Sequence, residues 1–349
     1  MRRIDLPNIV PGMVIGRSLY NSLGQTLLKS GTMLSANYIR RLEMLGIPCL
    51  YIREPSLNLP EVKDVISDET RVTAMVRVRD ILEDPSKETI ALRTEGALSS
   101  VKDIVRELLR NSHAVVNLTD IRLDDDYLFA HSVNVCVLAL LTCISLGYTQ
   151  NKLHEVGLGA LFHDVGKIMI PKPILNKPGS LSPEEYAIIK RHTDHGYLLL
   201  KDIPIAKDIA YQHHERVDGT GYPQALTGGH ILETSQIVAM ADVFDALTAH
   251  RQYRMGFPAH EAYEYLSASG NKAFDMRLLR VFLKNIAAYP SGLTVELSDG
   301  SKAIVLDTAP GAPLYPRVRL LSTQSDIELN HSTLRIVKVL TGSESVAGN

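Results

Sequence analysis

Residues 133–146 read Val133-Asn-Val-Cys-Val-Leu-Ala-Leu-Leu-Thr-Cys-Ile-Ser-Leu146, and His131 stands two places before them. The run is apolar on every side of a helix, a pattern shared by core helices and membrane spans. It is shorter than the roughly 20 apolar residues that a bilayer needs, and His131 and Asn134 stand at its start. A buried core helix is therefore expected, and no membrane span. Around it, from Leu128 to Ala288, apolar residues recur at helical spacing in successive blocks with short polar breaks, which predicts an all-α core. Inside that region Ser182-Pro183-Glu184-Glu185 is a strong helix start. Ser182 can cap, Pro183 suits the first position, and Glu185 can close a capping box.

The flanks have other textures. From Ile4 to about Ile52, short apolar pairs (Met13-Val14-Ile15, Leu27-Leu28) and Cys49-Leu50-Tyr51-Ile52 read as strands. Between them lies a helix that Ser35 would cap and Gly46 would end. Residues 61–97 read as a linker with helical stretches, one of them Val72 to Glu83. After Pro290, Leu293-Thr-Val-Glu-Leu297, the turn Ser298-Asp299-Gly300 and Arg317-Val-Arg-Leu320 predict a small β module. The expected organisation is 1–60 as a small α+β module, 61–97 as linker, 98–289 as the helical domain and 290–349 as β module. Its last residues, Gly342 to Asn349, are expected to be disordered.

Composition excludes several classes. The 349 residues carry 37 basic and 39 acidic side chains, so binding of a nucleic acid polymer by global charge is not expected. Cys49, Cys136 and Cys143 have no C-x-x-C spacing, so neither a disulfide framework nor a thiolate zinc site is implied, and a reducing cytoplasm fits. Met1 to Val10 has two arginines but no apolar segment behind them, so no secretory signal is expected.

Chemistry concentrates in the helical region, which holds His131, the pair His163-Asp164, His192, the pair His213-His214, and Asp242. Neutral imidazoles and carboxylates are ligands suited to manganese, iron or zinc, and an aspartate has two oxygens with which to bridge two ions. Asp242 follows the apolar run Ile237 to Ala241, and a buried carboxylate needs a cation or strong hydrogen-bond partners. Taken singly, each residue has a plainer explanation: a helix histidine is more often a hydrogen-bonded core residue, and a helix aspartate a solvated one. The conjunction of all seven suggests a dinuclear metal site. The other histidines, His195 among them, stand in polar or loop contexts and receive no role.

His163-Asp-Val-Gly-Lys167 resembles the HD-x-G-K motif of the HD-GYP family, and His213-His-Glu-Arg-Val-Asp-Gly-Thr-Gly-Tyr-Pro223 resembles its HHE-x-x-DG-x-GYP motif. Ile189-Lys-Arg-His192 with Gly196, and Ala241-Asp-Val-Phe-Asp-Ala-Leu-Thr248 with Arg251-Gln-Tyr253, are similar to further stretches of that family. They occur in family order, from roughly Leu98 to Ala288. The resemblance implies a mostly-α chain with an HD-type helical core, and a phosphodiesterase that hydrolyses cyclic di-GMP to linear pGpG, with onward hydrolysis to GMP left open. It implies two divalent ions, usually iron or manganese, with zinc left open by ligand chemistry. One would be held by His131, His163, Asp164 and Asp242, the other by Asp164, His192, His213 and His214.

The resemblance further gives Lys167 a place on a substrate phosphate, Arg251 and Arg254 the holding of phosphates, and Gly221-Tyr222-Pro223 a shaped loop for nucleotide or protein partners. For the N-terminal module it implies regulation or dimerisation. Some family members carry a glutamate one helical turn before the first histidine, for a third metal. Here Tyr127 takes that position, and Asp124, Asp125 and Asp126 lack the i to i+4 relation to His131, so two ions are expected. Two competing readings are a phosphohydrolase of another nucleotide and a receptor without turnover. The intact GYP loop counts against the first, and the intact ligand set with Lys167 against the second.

Overall fold

In a computed structural model the chain is described over residues 1–21, 23–62, 64–83, 87–111, 115–117, 127–250, 256–330 and 334–340, the side chains of 87–94 and of Tyr127 excepted. Arg251 and Arg254, the Asp124–Asp126 run, the Tyr127 side chain and the Gly342–Asn349 tail therefore lie outside the described residues.

Strands β1 (Arg2–Asp5), β2 (Val14–Ile15) and β5 (Cys49–Arg53) form an antiparallel sheet in the order β1-β5-β2. Beside it, β3 (Leu19–Tyr20) and β4 (Thr26–Leu28) make a hairpin. Helix α1 (Ala36–Met44) starts where the Ser35 side chain accepts from Tyr38 N. These elements enclose their own apolar cluster, with Ile4, Ile15, Leu34, Leu42, Leu50 and Ile52 buried.

The large core is helical: α2 (Asp68–Glu83), α3 (Lys87–Arg110), α4 (Tyr127–Ser145), α5 (Gln150–Leu161), α6 (Lys172–Leu175), α7 (Pro183–Lys190), α8 (His192–Leu199), α9 (Pro204–Gln212), α10 (Glu233–Thr248), α11 (Ala259–Ala268) and α12 (Met276–Lys284). Helix α4 sits at its centre, packed by α2, α5, α10 and α12. By length and composition alone the stretch Leu128–Ser145 could cross a membrane, yet 78% of it is buried inside the molecule. Its all-round apolar surface is explained by neighbours on every side. At α7 the capping box forms as the sequence predicts: Ser182 Oγ accepts from Glu185 N, and Ser182 N donates to the Glu185 carboxylate at 2.7 Å.

The linker expectation for 61–97 needs correction. Val65, Ile66, Ala74, Val78 and Ile81 are buried in the same cluster as α4 and α5, so α2 is a wall of the helical core. Its helix carries the buried face that a tether would lack.

Strands β6 (Thr294–Leu297), β7 (Lys302–Thr308), β8 (Pro316–Leu320), β9 (Asp326–Glu328) and β10 (Ile336–Val339) form an antiparallel sheet in the order β10-β6-β7-β8-β9. This sheet abuts the N-terminal one. Arg3 N donates to Gly292 O at 2.9 Å, Arg2 Nε to Thr294 Oγ1 at 3.2 Å, and Arg319 Nη1 to Leu57 O and Asn58 O at 2.8 Å each. The two flanking modules, separate in sequence, touch across the chain ends.

Candidate metal centre

Five segments of the helical core bring the predicted ligands to one point. His131 lies one turn into α4, and His163 and Asp164 follow the C-terminus of α5. His192 opens α8, His213 and His214 follow α9, and Asp242 lies on α10. The ligand atoms of Asp164, His192, His213 and His214 lie within 4.8 Å of one another, and so do those of His131, His163 and Asp164. Asp164 is the common member. Its Oδ1 is 3.4 Å from His192 Nε2 and 3.7 Å from His213 Nε2. Its Oδ2 is 3.4 Å from His163 Nε2 and 3.9 Å from His131 Nε2. Asp242 Oδ1 is 3.1 Å from His131 Nε2.

The outer ring nitrogens explain how these histidines are held. Nδ1 of His163 meets Ala160 O at 2.8 Å, Nδ1 of His192 meets Ile189 O at 2.8 Å, and Nδ1 of His213 meets Ala210 O at 3.0 Å. A carbonyl only accepts, so each Nδ1 carries the proton and each Nε2 turns a lone pair inward. Metal-ligating histidines are commonly held this way, with the other ring N–H donating to a carbonyl that fixes the ring's orientation. At the centre His163 Nε2 and Asp164 Oδ1 are buried without a hydrogen-bond partner. Buried polar atoms are seldom left so, and a cation between them would satisfy both. The donor set fits divalent transition metals.

The electrostatics agree. Burial lowers the pKa of His192 to about 4 and that of His214 well below the usual histidine value, so both rings are neutral at physiological pH, the form a metal would need. At Asp164 burial opposes ionisation, but Lys167 and His163 outweigh it and hold the carboxyl well below its usual range. For His131 burial works downward too, yet hydrogen bonds to Asp242 and Asp245 raise its pKa to about 9. An ion held by His131 would therefore have to displace a proton from it at neutral pH. Mn²⁺ affinity should rise with pH, by up to about tenfold per unit between roughly pH 7 and 9, and then level off. Calorimetry in buffers of different ionisation enthalpy checks this; an affinity flat over that range contradicts the assignment of His131.

Lys167, on the turn Val165–Met169, places its ammonium against Asp164 Oδ2 and stays partly exposed. The loop after His214 is built by its own motif. The buried carboxylate of Glu215 accepts from Gln224 N at 2.6 Å and Leu226 N at 2.9 Å, and Tyr222 N donates to His214 O at 3.1 Å. A Cβ on Gly221 would lie 2.4 Å from Arg216 N and 2.6 Å from His214 O, so only glycine fits there. The Tyr222 ring consequently stacks on that of His214, with centroids 4.7 Å apart, and Lys190 Nζ stands 5.7 Å from the Tyr222 centroid.

Three residues at this centre had no assigned role: Asp245, Asn134 and Arg71. Asp245 is fully buried, three places after Asp242 on the same helix, and Asn134 is three places after His131. That spacing was the available signal. Arg71 offers none, because it reaches the centre from α2, far away in sequence.

Residues 106–278 match the HD domain family. The chain is 36% identical over 234 residues to a cyclic di-GMP phosphodiesterase of Pseudomonas aeruginosa, an alignment covering 66% of this chain and 56% of that protein. It is 37% identical over 144 residues to a 3'3'-cGAMP-specific phosphodiesterase of Vibrio cholerae, covering 40% of this chain and 28% of that protein. The chain thus spans about half the length of the first relative and less of the second. Among solved structures it shares its fold with a HDG"Y"P protein from Bdellovibrio bacteriovorus, with a TM-score of 0.52 and 21% identity over 80% of this chain and 97% of that one. With the His163-Asp164 and His213-to-Pro223 motifs gathered at one buried centre, residues 106–278 form an HD domain, of the HD-GYP type by those motifs.

Proposed function

We propose that the chain is a metal-dependent phosphodiesterase that hydrolyses cyclic di-GMP to linear pGpG. The observation that carries this reading is Asp164, buried and facing four imidazoles with both its oxygens, next to the GYP loop. The kinship with the Pseudomonas aeruginosa enzyme supports the substrate. In this reading His131, His163, Asp164 and Asp242 hold one ion, and Asp164, His192, His213 and His214 hold a second, with iron or manganese as occupants. Bound there, two such ions would supply Lewis acidity toward phosphate oxygens and make a water acidic enough to act as nucleophile near neutral pH.

The chain's own side chains do the rest. Lys167, partly exposed beside Asp164, is placed to exchange the carboxylate for a non-bridging phosphate oxygen once a cation neutralises Asp164. The flat face of Tyr222 gives a base or ribose a surface beside His214. Arg251 and Arg254 are proposed to hold the second phosphate, a task suited to planar guanidinium groups. Three buried free thiols are compatible with the reducing cytoplasm as compartment.

The kinship with the Vibrio cholerae enzyme makes 3'3'-cGAMP the second candidate substrate. Anaerobically purified chain should contain about two ions of iron or manganese and turn over cyclic di-GMP with the higher kcat/KM of the two dinucleotides. Binding of cyclic di-GMP without turnover by the fully loaded chain would overturn the reading in favour of a receptor.

A further inference from the structure

A file of buried polar side chains leads from His131 away from the metal centre. His131 Nδ1 donates to Asp245 Oδ2 at 2.7 Å, and Asn134 Nδ2 donates to the other Asp245 oxygen at 3.0 Å. Arg71 Nη1 donates to Asn134 Oδ1, and Arg71 Nη2 donates to Asp64 Oδ2 at 2.8 Å. On the far side Arg17 Nη2 reaches Asp64 Oδ2 at 3.3 Å and Asp68 Oδ1 at 2.6 Å. The file thus crosses from α10 to α4, to α2, and then to the N-terminal sheet unit, where Arg17 lies between β2 and β3.

The chemistry at each joint has a fixed direction. A guanidinium only donates and a carboxylate only accepts, so the group between Arg71 and Asp245 must accept on one side and donate on the other. The Asn134 amide does both, and its two contacts fix which end is oxygen. Asn134 and Asp245 are 5% and 0% exposed, and Arg71 is 7% exposed. Well-packed apolar side chains would fill this space at no loss of stability, and often with a gain. Stability alone therefore gives no reason for a line of charges through the core, whereas fixing the His131 ring and joining it to a distant unit does.

We propose that Asp245 and Asn134 are positioning residues for the His131 ligand, and that Arg71 and Asp64 carry the conformational state of the N-terminal unit to the metal centre. The inference rests on His131 being a ligand, as in the proposed function. It goes beyond that function in making the N-terminal unit a regulator of metal affinity at the His131 side. Displacing Arg17 withdraws one cation from Asp64, which frees Arg71 to shift toward Asp64 and away from Asn134. The strain then appears at the hydrogen bond that orients His131.

The test is a double-mutant cycle on the full chain, read as Co²⁺ affinity and the visible Co²⁺ spectrum. Asn134→Asp keeps shape and the Arg71 contact but sets a carboxylate against Asp245; it should weaken Co²⁺ binding by roughly tenfold, the scale of lost outer-shell partners. Arg17→Gln leaves Asp64 its bond from Arg71 and lies outside the helical core. It should weaken binding by about threefold and shift the spectrum, and Arg17→Lys should restore most of the affinity. In the double variant the Arg17→Gln effect should vanish, because the file is already cut; effects that simply multiply would mark independent sites and overturn the proposal. A tether of merely structural value would lower the melting temperature of Arg17→Gln with Co²⁺ affinity unmoved, which also overturns it. Wild-type chain that binds no Co²⁺ would instead overturn the metal reading itself, and the relay with it.

Discussion

Asp164→Ala is expected to empty the centre of metal and to abolish turnover of cyclic di-GMP, the largest functional loss of any single substitution in this chain. Asp164 faces His131 and His163 with one oxygen, and His192 and His213 with the other, so its removal takes a ligand from both proposed ions together. Loss of an outer-shell partner typically costs 10- to 100-fold, and loss of a shared ligand should exceed that by at least about another tenfold. Lys167 would lose its carboxylate partner in the same stroke. Asp164→Asn separates the causes, since it keeps volume and one carbonyl oxygen but has no second anionic oxygen with which to bridge. Bound metal should fall from about two ions per chain to one or none, in elemental analysis of anaerobically prepared protein. Full metal content and wild-type turnover in Asp164→Ala would remove Asp164 from the centre.

What the sequence makes legible here is local chemistry. The Ser182 to Glu185 cap is read correctly because every contact in it lies within three residues. Four of the seven candidate ligands, His163, Asp164, His213 and His214, are legible because HD-x-G-K and the HHE-to-GYP run are contiguous words whose neighbours in sequence are also neighbours in space. Asp245 sits inside the Ala241–Thr248 stretch but has no distinguishing chemistry until its partners are known: its burial and its bond to His131 depend on how α10 meets α4. Arg71 is further out of reach. Nothing in the composition of α2 separates a helix that walls the core from one that links two domains, because that difference lies in which face meets α4. The join between the flanking modules is hidden for the same reason: Arg2 and Thr294 meet across almost the whole chain.

The glycine of the HD-x-G-K motif gives a second large effect, by sterics alone. At Gly166 an added Cβ would lie 1.9 Å from His192 O, 2.5 Å from Gly196 N and 2.8 Å from the His192 carbonyl carbon. All three are backbone atoms in α8, so no rotamer change relieves the clash, and the turn and the helix must part. Overpacking in a rigid core usually costs about 1–3 kcal/mol, and a backbone clash this close belongs at or above the top of that range. The functional consequence follows from which residue moves. His192 is the first residue of α8 and holds its Nε2 toward Asp164, so pushing α8 outward draws this ligand from the side it shares with His213 and His214. Gly166→Ala should therefore bind about one ion instead of two, keep the proton release assigned to His131, and lose nearly all turnover. Gly229→Ala is the matched control, since a Cβ there meets nothing within 4 Å, and its stability should stay within about 0.5 kcal/mol of wild type. Elemental analysis and thermal unfolding of the two variants side by side decide the matter. Two tightly bound ions and normal turnover in Gly166→Ala would mean that the HD-x-G-K turn and α8 are not in the close contact that places His192.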